Sequence, residues 1–236
     1  MLTLRNLVVH RGGKPVLHGF DMDVAPGQVT ALVGANGAGK SSTVMAIAGA
    51  IAVKAGSITA GTTPLHNQRP EFVRAAGVAV VPEGHRVLGD LSVHDNLRVA
   101  GTALHAAELQ AAIERALDIF PELRPKLDTL GRALSGGQKQ MVCIAQALIA
   151  QPAYMVIDEL SLGLAPMVVR RLADVVQQVA ARGVGVLLIE QFTTLALAIS
   201  TQAYVMERGR LAFSGSSQAL RDQPEILHSS YLAAKA

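Results

Sequence analysis

Aromatic residues are scarce: five Phe, three Tyr and no Trp in 236 residues. So few ring faces exclude a single-stranded nucleic-acid platform built on base stacking. The one cysteine, Cys143, excludes an internal disulfide framework and a cysteine-based metal cluster. It fits a reducing compartment, and its place on an apolar face predicts a buried, inert thiol. The seven His are dispersed, and none pairs at the helical spacing of metal ligands. Charge is thin at 17% of residues, with a net charge of +3. The basic residues are scattered, with no run longer than Arg170-Arg171, so no nucleic-acid partner is expected. No apolar run reaches the roughly 18–20 residues of a membrane span. Met1–Asn6 has neither the basic start nor the apolar stretch of a signal peptide. The expectation is a soluble intracellular protein. A mean hydropathy of +0.34 leaves room for attachment to a membrane partner.

Half of the residues are apolar, enough for a large core. Leu2, Leu4, Leu7 and Val9 roughly alternate with polar positions, Val16–Val24 follows a Gly12-Gly13 turn, and Val29–Val33 is a continuous apolar run after Pro26-Gly27. These read as strands. A helix is expected from about Lys40 to Gly49, and short strands near Ser57–Thr59 and Val78–Val81. Residues 93–120 read as helical up to Pro121. Further helices are expected after Gly137 and over Val168–Ala181. Further strands are expected at Tyr154–Ile157, Val184–Ile189, Ala203–Met206 and Leu211–Phe213. Strand–helix alternation predicts an α/β fold with a largely parallel sheet. With no repeat or linker, the chain reads as one domain, 1–236, with an inserted helical section.

Gly34-Ala35-Asn36-Gly37-Ala38-Gly39-Lys40-Ser41 matches the phosphate-loop pattern G-x-x-x-x-G-K-[ST], followed by Ser42. Glycines at this spacing let backbone N–H groups converge on phosphate oxygens. Lys40, read as a solvent-facing charge, adds a cation there, and the Ser41 hydroxyl is suited to Mg²⁺. The bland alternative, a glycine-rich turn, does not explain why an apolar strand precedes the loop and a helix follows it. Tyr154–Ile157 ends in Asp158-Glu159. Alone this is an ordinary acidic strand end. Beside a phosphate loop, Asp158 is suited to Mg²⁺ and Glu159 to the attacking water. Leu134-Ser135-Gly136-Gly137-Gln138 opens a helix. Ser135 is a good N-cap, and the exposed amides also make a second anion site. Two phosphate sites far apart in one chain make sense if the second serves a nucleotide held by another subunit.

Together, in this order, the three motifs resemble ABC-type ATPases over essentially the whole chain. The chain is most similar to the smaller of the two ATPase subunits of bacterial branched-chain amino acid importers. Val81-Pro82-Glu83-Gly84, Ser161-Leu162-Gly163-Leu164-Ala165-Pro166 and Ile189-Glu190-Gln191 carry that closer likeness. The resemblance implies a RecA-like phosphate-loop ATPase core (about 1–87 and 151–236) with an antiparallel β subdomain and an inserted helical subdomain (about 88–150). It implies ATP and Mg²⁺, and two such subunits sandwiching two ATP molecules, each between one phosphate loop and the opposite signature, Ser135–Gln138 here. It further implies a second ATPase subunit as partner in a heterodimer, two membrane permease subunits, an indirectly linked periplasmic binding protein, and a peripheral place on the cytoplasmic face of the inner membrane. The chemistry it implies is ATP hydrolysis coupled to transport.

The departures from the family pattern are specific. Arg11 stands where an aromatic residue usually stacks on adenine, and a guanidinium plane can do the same. His10 is a neighbouring candidate. Glu83 stands where most members have a Gln that reaches Mg²⁺ and the water. Gln191 replaces the usual switch histidine; its amide can donate to a γ-phosphate but cannot become cationic. Leu160 replaces a Pro, and Ala165 a cross-interface Asp. His85 and His94 read as solvated. Two alternatives stand beside the main reading. One is the ATPase of a related urea, amide or aromatic-acid importer. The other is a soluble ABC-type ATPase not tied to transport; the single cysteine and single cassette count against its DNA-repair and ribosome-acting versions.

Overall fold

The computed structural model describes residues 1–223 and 225–227; the end of the 151–236 core segment lies outside them. In chain order the elements are β1 (Leu2–Arg11), β2 (Lys14–His18), β3 (Met22–Val24), β4 (Val29–Val33), α1 (Lys40–Ile47), β5 (Val53–Ala60), β6 (Thr63–Pro64), α2 (Pro70–Ala75) and β7 (Val78–Val81). They continue with α3 (Val93–Ala100), α4 (Ala106–Ile119), two short 3₁₀ turns, α5 (Gly136–Ile149), β8 (Tyr154–Asp158) and α6 (Pro166–Ala181). The chain then forms β9 (Gly185–Glu190), α7 (Thr193–Ile199), β10 (Gln202–Glu207), β11 (Arg210–Ser216) and α8 (Ser217–Asp222).

Two sheets result. The larger has the order β11-β10-β4-β9-β8-β7 and is parallel except for the edge strand β11. The smaller is antiparallel, β2-β1-β5-β6, with β3 also paired to β1. Strands β4, β8 and β9 are buried along their whole length, as a parallel sheet covered on both faces requires. Their side chains alternate between two cores. Met155, Ile157, Val186 and Leu188 face the core that holds the helical section. Val156, Leu187 and Ile189 face the core that holds α1 and the antiparallel sheet.

Two local expectations need correction. Val16–Val24 is two strands, because the chain turns at Gly19 (φ 82), where a Cβ would come within 2.5 Å of Asn6 Oδ1. Residues 93–120 form two helices, broken after Ala100. A Cβ on Gly101 would lie 2.4 Å from Leu109 and 2.8 Å from Ile149, so close packing of α3 against α4 and α5 dictates that glycine. Helix α2 was not foreseen; it is too short for a periodic pattern. The slip in alternation from Leu4 to Leu7 is real: Asn6 has φ 45, and the β1–β5 register shifts between Arg5 and Val8.

Candidate active site at the carboxyl edge of the sheet

The phosphate loop joins the end of β4 to the first residue of α1. Gly34 (φ 156) is obligatory, since a Cβ there would lie 2.3 Å from the Met206 carbonyl oxygen. Gly39 (φ 116) is nearly as constrained, by Leu17 at 2.8 Å and the Met206 sulfur at 3.0 Å. Gly209 N–H donates to the Ala38 carbonyl at 2.7 Å. The β10–β11 turn therefore braces the loop from behind, a support that no sequence motif announced. Helix α1 has no side-chain cap and no acidic residue in its first turn. Its leading N–H groups lack helical acceptors, and its dipole favours an anion.

Lys40 is not the solvent-facing charge expected from sequence: it is 6% exposed. Its Nζ donates to the carbonyls of Gly34 (2.7 Å) and Ala35 (3.0 Å), folding across the loop. Burial pushes the ammonium down from its ordinary pKa, while Glu159, Asp158, Glu190 and Glu83 pull it back up. Ser41 is exposed and Ser42 buried; Asn36 and Gly37 are exposed and Ala38 is buried.

Strand β8 delivers Asp158, 7% exposed. Its carboxyl is pushed up to about 6 by burial, then by the nearby charges of Glu159 and Glu83, against the pull of Lys40. Glu159 leaves the strand in a left-handed conformation (φ 57) and donates its N–H to the Ile189 carbonyl at 3.0 Å. Its carboxyl is also raised, by burial and by Glu83. Glu83 is exposed beyond β7, and Gln191 follows β9 directly. The structure thus gathers Lys40, Asp158, Glu159, Glu83 and Gln191 at the carboxyl edge of adjacent strands, where ligands of open α/β sheets bind. It adds Glu190, which sequence reasoning passed over. This carboxylate is 1% exposed and accepts from Ser161 N–H and Ser161 Oγ, both at 3.0 Å. Its only signal in the sequence is an acid closing an apolar strand.

The Ser135–Gln138 signature lies elsewhere, at the start of α5. Ser135 Oγ accepts from Gln138 N–H (3.3 Å) and Gln138 Oε1 accepts from Ser135 N–H (3.0 Å), a reciprocal cap. Ser135 and Gly136 are exposed, while Gly137 is buried against Val168 of α6. His85 is half-buried, and its Nδ1 pairs with Gln140 Oε1 at 2.8 Å, which corrects the solvated reading. Arg11 is exposed at the β1–β2 hairpin, paired to Lys14. Cys143 is buried, its thiol pushed up to about 11 by desolvation, and is inert as expected. Among the described residues no helix is long and apolar enough to cross a membrane.

A glycine-cornered loop at a helix N-terminus, one buried ammonium and several carboxylates at one sheet edge are what a triphosphate and its hydrolysis require. At the level of class this is a phosphate-loop ATPase. Residues 17–161 match the family described as ABC transporter. The chain is 33% identical to the high-affinity branched-chain amino acid transport ATP-binding protein BraG of Pseudomonas aeruginosa, over 96% of this chain and 97% of that protein. It is 32% identical to the probable branched-chain amino acid transport ATP-binding protein LivF of Archaeoglobus fulgidus, over 94% and 96% of the two chains. It is 29% identical to the lipopolysaccharide export system ATP-binding protein LptB of Escherichia coli, over 94% and 93%. A solved ATP-binding subunit of an ABC transporter superposes with a TM-score of 0.82 at 27% identity, covering 98% of this chain and 95% of its own. An ATP-binding cassette in its ADP conformation superposes with a TM-score of 0.86 at 24% identity, covering 97% of each chain, and shares the fold. The chain belongs to the ABC transporter family, as its ATP-binding and ATP-hydrolysing component. Subunits of this kind work with membrane permease partners.

Proposed function

We propose that the chain powers a membrane importer of branched-chain amino acids, as the names of the relatives BraG and LivF suggest. One observation carries the mechanistic part. The signature presents Ser135 and Gly136 to solvent at the start of α5, away in the chain from the phosphate loop at β4–α1, and in this reading it completes a nucleotide site of a second ATPase subunit. The chain acts as one domain, with its core at about 1–87 and 151–236 and a helical subdomain at about 88–150. It works on the cytoplasmic face of the inner membrane, peripherally, against two permeases that receive substrate from a periplasmic binding protein.

In this reading the amides of Gly34–Ser42 and the Lys40 ammonium hold the β- and γ-phosphates of ATP, and Arg11 stacks on the base. Glu159 orients a water and takes its proton as the water oxygen bonds to the γ-phosphorus. The bond to the bridging oxygen breaks, and ADP and phosphate leave. Gln191 donates an amide hydrogen bond to the γ-phosphate. Mg²⁺ fits the residues present: Ser41 and Asp158, with Glu83 nearby, are hard oxygen donors. Burial and the neighbouring carboxylates hold Asp158 near pKa 6, charge strain that a cation would relieve. Among the described residues no group of three or more His, Cys, Asp or Glu is placed to hold a metal ion. When bound, the ion offsets phosphate charge. Ser135–Gln138 serves the partner's nucleotide. The test is co-purification with two permeases and a second ATPase, followed by ATPase assays in vesicles. Leucine-, isoleucine- or valine-loaded binding protein should stimulate turnover; stimulation by urea, amides or aromatic acids instead would overturn the substrate reading.

A further inference from the structure

Glu190 is a buried acid that the proposed mechanism leaves without a task. It closes β9, where it pairs with Val33 on one side, the residue before the phosphate loop. On the other side its neighbour Ile189 pairs with Asp158. Burying a carboxylate is costly unless donors surround it. Here two do: Ser161 N–H donates to Oε1 and Ser161 Oγ to Oε2, both at 3.0 Å, and the nearby Phe192 N–H also favours the charged form.

The origin of those donors is informative. The chain leaves β8 at Glu159 in a left-handed turn, so Ser161 N–H has passed beyond the sheet ladder. Phe192 stands just before α7, at an N-cap position with no side-chain cap of its own. The loop after β8 thus places two donors on a side chain of the neighbouring strand end, and Gln191 follows directly on that anchored residue. Ser161 opens the segment Ser161–Ala165, whose Leu162, like Phe192, is an exposed apolar residue. An apolar residue at position 190 would leave the Ser161 amide and hydroxyl without these acceptors.

We infer that Glu190 is a positioning residue: its carboxylate ties the turn carrying Gln191 to the loop at Ser161, fixing the amide that senses the γ-phosphate. This rests on the proposed contact between Gln191 and the γ-phosphate, and the experiment separates the two. The measurement is the ratio of ATP to ADP affinity for the full-length chain in Mg²⁺ buffer, by titration calorimetry. Gln191→Ala should lower that ratio about fivefold, the size of one hydrogen bond. Glu190→Ala should lower it by a similar factor with ADP affinity retained, and should add nothing in the Gln191→Ala background. Glu190→Gln should restore the ratio to within about twofold. Its amide oxygen can accept from Ser161 N–H and its NH₂ can donate to the Ser161 hydroxyl. Should Glu190→Ala fail to fold, Ser161→Ala removes the Oγ bond alone and should give a smaller loss with the same dependence on Gln191. An unchanged ratio in Gln191→Ala would overturn the γ-phosphate contact, and the inference with it. A normal Gln191→Ala loss with no effect of Glu190→Ala would overturn the inference alone. Equal losses in Glu190→Gln and Glu190→Ala, or additive losses with Gln191→Ala, would also overturn it, because charge or general structure would then be the cause.

Discussion

Charge burial sets the behaviour of the site at the scale of single residues. The Asp158 carboxyl is raised from 3.8 to about 6. The native state therefore holds this proton more tightly than the unfolded chain does. The stabilisation is complete below the unfolded value and is lost as pH rises toward 6. A shift of this size corresponds to about 2–3 kcal/mol. Nucleotide-free Asp158→Asn should accordingly unfold at a higher temperature than the native chain at pH 8, and that gain should vanish near pH 4. Thermal melts across this range, with MgATP titrations showing weaker binding in the variant, check it. Lys40 gives the complementary case. Its ammonium is penalised by burial, so Lys40→Ala removes that penalty along with two carbonyl hydrogen bonds. The fold should survive while ATP affinity falls at least about tenfold, the size of a lost charge-assisted contact. Calorimetry alongside a melting curve reads both.

At the scale of elements, the signature is held by how α5 meets α6. A Cβ on Gly137 would stand 2.6 Å from Val168 Cγ1, a distance no packed pair tolerates. Gly137→Ala should push the start of α5 away from α6, destabilising the chain by about 1–3 kcal/mol and lowering ATPase of the assembled transporter. Val168→Ala in the same chain should recover much of both losses. Denaturant unfolding and vesicle ATPase of the double variant test this. The same kind of contact acts within residues 93–120, which read as helical: α3 and α4 separate at Gly101, where a Cβ would lie 2.4 Å from Leu109 and 2.8 Å from Ile149.

Two composite sites of unequal quality are expected for the whole assembly. This chain contributes an intact signature, but Gln191 stands where the family it resembles has a histidine. The resemblance implies a second ATPase that carries the histidine and a degenerate signature, and on that reading we propose that the productive site pairs Ser135–Gln138 with the partner's phosphate loop. The site built on Lys40, Glu159 and Gln191 should bind ATP and turn it over slowly. In the reconstituted transporter, Ser135→Arg should nearly abolish ATPase and transport, while Glu159→Gln in the same chain should be much milder. Equal losses, or the reverse order, would favour two equivalent sites.

Position along the chain was enough to read the phosphate loop, the Asp158-Glu159 strand end and the capped signature. Each depends on local backbone geometry: glycines that permit a curl, a strand that ends, a serine that caps. The alternation of β4, β8 and β9 between two cores follows from the same local rule. What the sequence did not determine came from contacts made only in the packed chain. Lys40 is buried because Gly34 and Ala35 fold over it, and Gly34 must be glycine because Met206 lies 2.3 Å from where its Cβ would be. Glu190 becomes a clamp only when Ser161 arrives from the loop after β8. Side-chain burial and shared hydrogen bonds are properties of the packed chain, so those features were decided by tertiary structure alone.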